Sequence, residues 1–310
     1  MGAIQPPGGN PLQVPQAPVT SGGPVPEPRG VHLPRAFSPS VVASHYDELD
    51  QFYRDIWGDH VHHGLWLSGT ETHGEATLQL VRCVAERAHI GRGTRVCDIG
   101  CGYGAAARLL AADYGANVTG ITVSPAQFQY AQRQPAAGVK IMLGDWLQNP
   151  FEDASFDAAF AIESSEHMPD LDQFFRQASR VLRPGGRLVI CSWLAHSGAS
   201  AMQRALLLEP ICREGRMTRI GLFAEYRRLF EQTGFAVEQE EDVSRQVKRT
   251  WPVCAGRFAA RLLRQPRYLR FLVNRHHRNR IFALTIFRIW LAFETGALRY
   301  GILTGVKRSD

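Results

Sequence analysis

The sequence predicts an α/β fold with a doubly wound, mostly parallel sheet of seven strands. Short apolar runs alternate with amphipathic helical segments through most of the chain, which is typical of parallel strands joined by right-handed crossovers. One of these runs, Val96–Ile99, leads directly into a turn with glycine at every second position, Gly100, Gly102 and Gly104. Such a turn between a strand and a helix brings the backbone close to a ligand. We therefore expect a ligand site at the carboxyl end of this strand.

Each element follows from a local pattern. Apolar residues at spacings of three and four predict the helices, and short apolar runs bounded by turn residues predict the strands. Ser124 before Pro125 marks a helix start, and Pro184-Gly185-Gly186 ends the helix that precedes it. In chain order we predict helix 38–53, helix 73–88, strand 96–99, helix 105–114, strand 117–122, helix 124–134, strand 139–143, strand 156–162, helix 172–182, strand 187–193, helix 223–233, strand 235–243 and strand 299–307.

Composition predicts one folded domain behind a disordered tail. Residues 1–38 hold nine prolines and six glycines. Large apolar residues are too few in this segment for their burial to offset the chain entropy that folding costs. Residues 39–310 form the predicted domain, with cap insertions at about 194–220 and 251–297. We see neither a signal peptide nor an apolar run long enough to span a bilayer. The six cysteines are scattered without zinc spacing, which favours a reduced, cytoplasmic chain.

The positive charge is concentrated near the C-terminus. From Arg245 onward the chain has 15 Lys and Arg against two acids, Glu294 and Asp310. The apolar residues Phe258, Leu262, Leu263, Tyr268, Phe271 and Leu272 interleave with these arginines. One interpretation is peripheral contact with an anionic membrane surface. The other is a solvated cap helix whose arginines pair with the acidic body, and we expect no nucleic-acid partner because no recognition motif is present.

Five segments of the chain, in order and at the usual spacing, resemble the class I S-adenosylmethionine-dependent methyltransferases: Val96–Gly104, Val118–Gln127, Leu143–Trp146, Phe156–His167 and Val181–Trp193. Four further segments, 62–66, 120–125, 163–170 and 293–304, resemble the γ-tocopherol C-methyltransferase group. The resemblance implies a Rossmann-like sheet, S-adenosyl-L-methionine as the cofactor, and a helical cap over a small lipophilic substrate.

The resemblance also implies which residues hold the cofactor. Asp98 is expected to anchor the methionine ammonium, although an aspartate that only caps the turn is the alternative. Ile121 and Thr122 stand where many methyltransferases carry an acid for the ribose, so Gln127 is a weak substitute. The full set of expected cofactor contacts is Tyr46, Asp98, Gly100, Gly102, Gly104, Ile121, Thr122, Gln127, Asp145, Trp146 and Glu163.

At the adenine end, Asp145 is expected to accept a hydrogen bond from the adenine amino group. Trp146 either packs on the adenine ring or is a core residue. Tyr46 resembles a family position that reaches the cofactor from the N-terminal helix. The loop 57–66 is dense in His and Trp, and its tryptophans, Trp57 and Trp66, either form a lid or belong to the core.

His167 is the predicted catalytic base, because its unperturbed pKa lies near neutrality and it follows the fourth strand. Glu166 and Glu163 are expected to orient it or to contact the cofactor, and His63 is the second-choice base. The alternative is that His167 only caps the turn that follows it. His60, His62 and His63 lack a nearby carboxylate or cysteine cluster, so no metal site is predicted.

The expected reaction is C-methylation of a prenylated quinol or tocopherol-like phenol. The alternatives are O- or N-methylation of a natural product, and C-methylation of a sterol or acyl lipid. A cofactor-binding scaffold without catalysis is disfavoured because Asp98, the three turn glycines and Asp145 are all present. The sequence does not determine the acceptor atom or the oligomeric state.

Overall fold

The structure, a computed structural model, describes residues 30–273 and 282–309. Its strands are β1 (Val31–His32), β2 (Arg95–Ile99), β3 (Asn117–Thr122), β4 (Val139–Leu143), β5 (Phe156–Ile162), β6 (Leu182–Ala195), β7 (Arg219–Ile220), β8 (Phe235–Asp242) and β9 (Leu298–Lys307). Its α-helices are α1 (Pro39–Ile56), α2 (His73–Arg87), α3 (Ala105–Tyr114), α4 (Pro125–Gln132), α5 (Leu171–Val181), α6 (Ala201–Gln203), α7 (Glu209–Glu214), α8 (Phe223–Gln232), α9 (Ser244–Val247), α10 (Thr250–Arg264), α11 (Pro266–Val273) and α12 (Phe282–Glu294). Short 3₁₀ turns cover Trp146–Gln148 and Ser165–His167, and a π-helical turn, Arg204–Leu208, joins α6 to α7.

Seven strands form one sheet in the order β4-β3-β2-β5-β6-β9-β8. The first five are parallel to one another, and β9 runs antiparallel to both β6 and β8. This confirms the predicted seven-stranded, mostly parallel sheet. The strand order reverses between β2 and β5, so the chain leaves these two central strands in opposite directions. Ligands of open α/β sheets bind at such a switch point, outside the carboxyl ends of the strands.

Apolar side chains of the central strands face two cores, one on each side of the sheet. Val96 of β2 belongs to one core and its neighbour Cys97 to the other, as the period of two requires. On the second side α5 buries Phe174 and Phe175 completely. Burial of each ring contributes about 1.5–3 kcal/mol relative to an exposed one, so this helix is tightly held against the strands.

The structure differs from the sequence predictions at β6 and at the short pair of strands β1 and β7, neither of which is predicted. β6 begins at Leu182 and contains the turn Pro184-Gly185-Gly186 that we expect before it, because the register between β5 and β6 shifts there and the strand bulges. Val31 and His32 of β1 pair antiparallel with Ile220 and Arg219 of β7, so the disordered segment expected up to residue 38 is already paired at residue 31. Residues 1–29 lie outside the described residues.

The cap consists of helices from the two segments predicted as insertions. The first segment contributes α6 and α7, and the second contributes α10, α11 and α12. α12 packs against α7 and α10, and α10 packs against α1 and α11. The region 251–297, predicted to be helical, contains α10, α11 and α12, while residues 274–281 of it lie outside the described residues. Across the described ranges, no helix combines the length and the apolar character that crossing a membrane demands.

Candidate active site

The glycine turn after β2 has a backbone that other residues adopt only with strain. Gly100, Gly102 and Gly104 all have positive φ angles, +78°, +53° and +73°. A Cβ on Gly100 would lie 2.4 Å from the Ser164 Cβ, whereas one on Gly102 would meet only the Gln127 Nε2, at 3.9 Å. The space over Gly102 is therefore open. α3 starts at Gly104 without a side-chain cap, so its first N–H groups are available to a ligand.

Two cavities meet above the strand ends. The turn cavity, about 110 Å³, lies over the glycine turn, and the cap cavity, about 310 Å³, lies under the cap helices. Five residues line both of them, Tyr46, Val61, His62, Glu163 and His167. We call these five residues the shared wall. Groups bound in the two cavities would come closest to each other beside it.

Nine of the eleven predicted cofactor residues line the turn cavity, and the exceptions are Gly104 and Asp145. The Asp145 carboxylate accepts the N–H of Leu147 at 2.9 Å as the cap of a 3₁₀ turn, which holds it off the cavity wall. Trp146 is compatible with both expectations, packing on the adenine ring and membership of the core. It lines the cavity, but it is 1% exposed and its Nε1 donates to the Phe174 carbonyl at 3.3 Å.

The side chains after β3 are linked to each other. The Thr122 hydroxyl donates to Gln127 Oε1 at 2.8 Å, and the Ser124 N–H donates to the Thr122 hydroxyl at 3.2 Å. This arrangement directs the Gln127 Nε2 toward the open space over Gly102. An amide N–H can donate to a ribose hydroxyl oxygen, in the place where an acid would accept from it.

Asp98 is the buried acid of the turn cavity. It is 3% exposed, and its Oδ2 has no hydrogen-bond partner among the described residues. Burial raises the pKa of its carboxyl to about 8. A buried carboxyl oxygen that faces a cavity and lacks a partner is suited to a bound cation, and the interpretation that it merely caps the turn is not supported.

Glu163 holds four hydrogen-bond donors from three parts of the chain. Its Oε1 accepts the His63 N–H at 2.7 Å, the His63 Nδ1–H at 2.9 Å and the Tyr300 hydroxyl at 2.8 Å, and its Oε2 accepts the Trp193 Nε1–H at 2.9 Å. Burial opposes ionisation, but the adjacent His63 and its hydrogen bonds outweigh it and lower the Glu163 pKa to about 2. Glu163 lines both cavities, as its expected cofactor contact requires, and these internal bonds fix its position there.

The second-choice base, His63, has no nitrogen left for catalysis. Its Nδ1–H donates to Glu163, and its Nε2 accepts the Trp251 Nε1–H at 2.8 Å. His63 is 1% exposed and its ring packs edge-on against Trp193 and Trp251. The structure therefore assigns it to positioning the loop 57–66 against α10, and not to proton transfer.

His167 also has both ring nitrogens engaged, but the partner of its Nε2 is a tyrosine hydroxyl, which can relay a proton, whereas the partner of the His63 Nε2 is an indole N–H. The Nδ1–H of His167 donates to the Arg216 carbonyl at 3.0 Å, which leaves Nε2 as an acceptor, and the Tyr46 hydroxyl lies 3.0 Å from that nitrogen. Burial lowers the pKa of His167, so the ring is neutral near pH 7. Its bonds to Arg216 and Tyr46 also show that the side chain does not cap the turn that follows it.

Glu166 lines the cap cavity but is buried and held by backbone and side-chain donors. Its Oε1 accepts the Trp193 N–H at 2.6 Å, and Oε2 lies 3.2 Å from the Ser165 hydroxyl. Burial raises the Glu166 pKa to about 7. Its carboxyl has no hydrogen bond to His167 among the described residues, so the expected orientation of His167 comes instead from the Arg216 carbonyl.

The His- and Trp-rich loop 57–66 contributes to both cavities. His60 Nδ1 lies 3.3 Å from His62 Nε2, and His62 Nδ1–H donates to the His63 carbonyl at 2.8 Å. Trp57 lines the cap cavity, whereas Trp66 is a core residue that donates to the Glu71 carbonyl. No three His, Cys, Asp or Glu side chains gather at metal-ligand distance in the parts of the chain that the structure describes.

The site residues predicted from the sequence do not include the Arg216 carbonyl or the three side chains that complete the polar network, Trp193, Tyr300 and Trp251. Tyr300 lies within the segment 293–304 that carries the narrower resemblance, so that segment held the available signal. Trp193 ends a predicted strand, and nothing local distinguishes it from a core residue.

A doubly wound sheet with a glycine turn and a buried acid at its switch point is typical of α/β proteins that bind a nucleoside or nucleotide there. The sequence model of the family described as "Methyltransferase domain" matches residues 97–190. The chain is 31% identical over 275 residues to 27-O-demethylrifamycin SV methyltransferase of Amycolatopsis mediterranei, covering 87% of this chain and 98% of that protein. We conclude that it belongs to the class I S-adenosylmethionine-dependent methyltransferases.

A second relative agrees with this assignment, and a solved structure agrees with the fold. The chain is 32% identical over 234 residues to the chloroplastic tocopherol O-methyltransferase of Arabidopsis thaliana, covering 68% of this chain and 67% of that protein. Its structure matches that of the [4+2]-cyclase SpnF with a TM-score of 0.76 and 26% identity, over 90% of this chain and 99% of that one. The chain is thus an enzyme that methylates a small molecule, and it resembles the tocopherol group.

The residues of the turn cavity fit S-adenosylmethionine. The unpartnered Asp98 Oδ2 suits its ammonium group, and the open space over Gly102 with the uncapped start of α3 suits its methionine end. When bound, this cofactor supplies the methyl group and, as the leaving thioether, takes the electron pair of the broken carbon–sulfur bond.

The raised pKa of Asp98 gives a testable pH dependence. Near pH 7 the free carboxyl is mostly protonated, and only the carboxylate pairs with an ammonium group, so binding releases a proton. We expect the affinity for S-adenosylhomocysteine to rise about tenfold per pH unit from pH 6 toward 8 and to level off above that. Calorimetry at several pH values measures this. In Asp98→Asn the affinity should be weaker and independent of pH, and a flat profile for the unmodified enzyme would contradict the assignment.

The Glu163 network predicts a large loss of stability on amide substitution. In Glu163→Gln one oxygen becomes an NH₂ group that faces a donor, and the buried charge is lost. We expect the free energy of unfolding in urea to fall by about 3 kcal/mol. Glu238→Gln is the matched control, because Glu238 is 42% exposed and pairs with Arg187 at 2.6 Å, and this change should cost less than about 1 kcal/mol. Equal losses in both variants would show that the network adds nothing to stability.

Proposed function

We propose that this enzyme transfers a methyl group to a hydroxyl oxygen of a lipophilic natural product held in the cap cavity. The observation that carries the proposal is the tautomer of His167. Its Nδ1–H is committed to the Arg216 carbonyl, so the Nε2 lone pair points into the shared wall between the two cavities. A hydroxyl group that enters from the cap side can therefore pass its proton to this neutral imidazole through the Tyr46 hydroxyl, which lies 3.0 Å from Nε2.

The lining of the cap cavity supports a lipophilic acceptor. Half of its 22 lining residues are hydrophobic, including Leu49, Trp57, Ile211, Ile286 and Ile289. A volume of about 310 Å³ lies at the lower end of the range for small-molecule sites, which begins near 300 Å³. Such a lining binds an apolar skeleton and leaves the polar groups of the shared wall to select and orient one hydroxyl.

Tyr46 and His167 form the proposed path for the proton. Burial raises the pKa of Tyr46 well above 10, so the phenol stays protonated and donates to His167 Nε2. The acceptor hydroxyl donates in turn to the Tyr46 oxygen. As the acceptor oxygen attacks the methyl carbon, its proton passes to Tyr46 and the Tyr46 proton passes to His167 Nε2. Proton removal of this kind contributes about 10²–10⁴-fold to rate.

The second candidate is methylation of a ring carbon in a prenylated quinol. The tocopherol-like segments 62–66 and 293–304 surround the shared wall, since they contain His63 and Tyr300. Removal of a phenolic proton by the same dyad would raise the electron density of the adjacent ring carbon. The two candidates share their base and differ in which acceptor atom lies in line with the methyl group.

Turnover with methyl-labelled S-adenosylmethionine against phenols, prenylated quinols, macrocyclic alcohols and sterols tests the proposal. Product analysis by carbon NMR separates the outcomes, because a methoxy carbon and a ring methyl carbon have distinct chemical shifts. A methoxy product from a lipophilic alcohol or phenol supports O-methylation. A ring-methyl product supports the second candidate, and transfer only to amines would contradict both.

A further inference from the structure

α12 has apolar side chains on two opposite faces. Its inner face, with Thr285, Ile286 and Ile289, lines the cap cavity. Its outer face exposes Leu284 and Phe287, at 47% and 52% of their surface. A helix that is apolar on both faces is normally buried on both. The outer face of α12 is therefore a surface that lacks its complement among the described residues.

The charged groups of α12 do not face outward freely. Arg288 pairs with Glu214 of α7, and Thr285 donates to the same carboxylate at 2.7 Å. Glu294, at the C-terminal end of the helix, pairs with Lys248 at 2.9 Å. Because these ion pairs engage both charges of α12, the face with Leu284 and Phe287 is uncharged.

The apolar surface extends over the neighbouring cap helices. Ten large apolar side chains are exposed among the described residues, and seven of them lie on the cap: Met202, Leu206, Leu263, Leu269, Val273, Leu284 and Phe287. α12 packs against α10 and the π-helical turn, and α10 packs against α11, so these residues occupy adjoining elements. We call this set the cap patch.

Five of the seven residues of the cap patch lie in the most basic part of the chain: Leu263, Leu269, Val273, Leu284 and Phe287. Between Arg249 and Arg288 the sequence has ten arginines and no aspartate or glutamate. Arg264 and Arg270 are exposed next to the exposed Leu263 and Leu269. Apolar side chains set among arginines match the acyl boundary and the anionic headgroups of a lipid bilayer. A second copy of this chain would bring a like-charged surface against it, which is unfavourable.

We propose that the cap patch docks the enzyme on an anionic membrane surface, with α12 lying at the lipid boundary. The inner face of the same helix lines the cap cavity, so a lipophilic acceptor passes from the bilayer into the cavity beside α12. The docking itself is independent of the proposed O-methylation, and only the route of the acceptor rests on it.

Vesicle co-sedimentation tests the docking with the full chain. We expect binding to vesicles of phosphatidylcholine with 30% phosphatidylglycerol at about 50 mM salt, little binding to phosphatidylcholine alone, and release near 500 mM salt. Leu284→Glu/Phe287→Glu should weaken binding at least about tenfold. Leu67→Glu/Leu143→Glu is the matched control, since these leucines are 68% and 47% exposed outside the cap, and it should bind as the unmodified protein does.

Three results would overturn the proposal. They are equal binding to neutral and anionic vesicles, unchanged binding of the Leu284→Glu/Phe287→Glu variant, and a dimer in analytical ultracentrifugation that this variant dissociates. Calorimetry with S-adenosylhomocysteine and turnover of a dispersed acceptor, measured on the same variants, separate a failure of docking from a failure of the proposed reaction.

Discussion

A Gly102→Val variant is expected to lose at least about a hundredfold in affinity for S-adenosylmethionine. Two effects add together. Valine at φ +53° strains the backbone of the turn, which costs about 1–3 kcal/mol. Its side chain also enters the open space over the turn, where nothing but the Gln127 amide lies within 4 Å, and so it occupies the volume that the cofactor needs. Isothermal calorimetry with S-adenosylhomocysteine measures the loss.

Gly185→Val separates the two effects. Gly185 has φ +74°, lies in the exposed turn at 184–186, and a Cβ added there would meet nothing within 4 Å. The variant should reproduce the loss of stability in urea without the loss of cofactor affinity. Full affinity in Gly102→Val would place the cofactor elsewhere, and weakened affinity in Gly185→Val would show that the effect is only a matter of folding.

A His167→Ala variant is expected to lower kcat by about 10²–10⁴-fold, since it removes the terminal proton acceptor. The cofactor affinity should change far less. With S-adenosylmethionine at saturation, so that the Asp98 titration does not enter, kcat/KM for the acceptor should fall only at pH values below the ordinary histidine pKa of about 6.5, because burial lowers the His167 pKa and only the neutral ring accepts a proton. His167→Ala should lack this acid limb, and turnover that persists unchanged would remove His167 as the base.

Tyr46→Phe tests whether the proton passes through the tyrosine. The substitution keeps the ring that packs against His167, with centroids 5.6 Å apart, and removes the hydroxyl that bonds to Nε2. We expect kcat to fall by at least about tenfold while the acid limb of His167 remains. His196→Ala, an exposed histidine after β6, is the control for the loss of an imidazole and should be active.

The parts of the fold that the sequence predicted best are those with local signals. α3, β3, β4 and β5 have the predicted bounds, because glycine turns, a Ser-Pro start and apolar runs define them within a few residues. β1 escaped prediction because its two residues pair with a partner about 190 residues away, and a two-residue strand has no periodicity.

The same distinction holds in the site. Asp98 and the turn glycines are recognisable because they adjoin in sequence. The bonds of Glu163 join residues 63, 163, 193 and 300, so no window of the chain contains them. The same is true of His63, whose two ring nitrogens bond to Glu163 and to Trp251, 100 and 188 residues away, so no local pattern shows that both are engaged. The class of site is a local property here, and the identity of its proton acceptor is a tertiary one.

The shared wall has a consequence for how such an enzyme diversifies. Among the described residues, five side chains line both the cavity that fits the methyl donor and the cavity under the cap helices, whereas α7, α10 and α12 line the second cavity alone. Substitutions on α7, α10 or α12 can therefore alter the choice of acceptor without changing the affinity for the methyl donor. Proteins that descend from one ancestral sheet can thus acquire different substrates through changes in the cap helices, while the cavity above the glycine turn is retained.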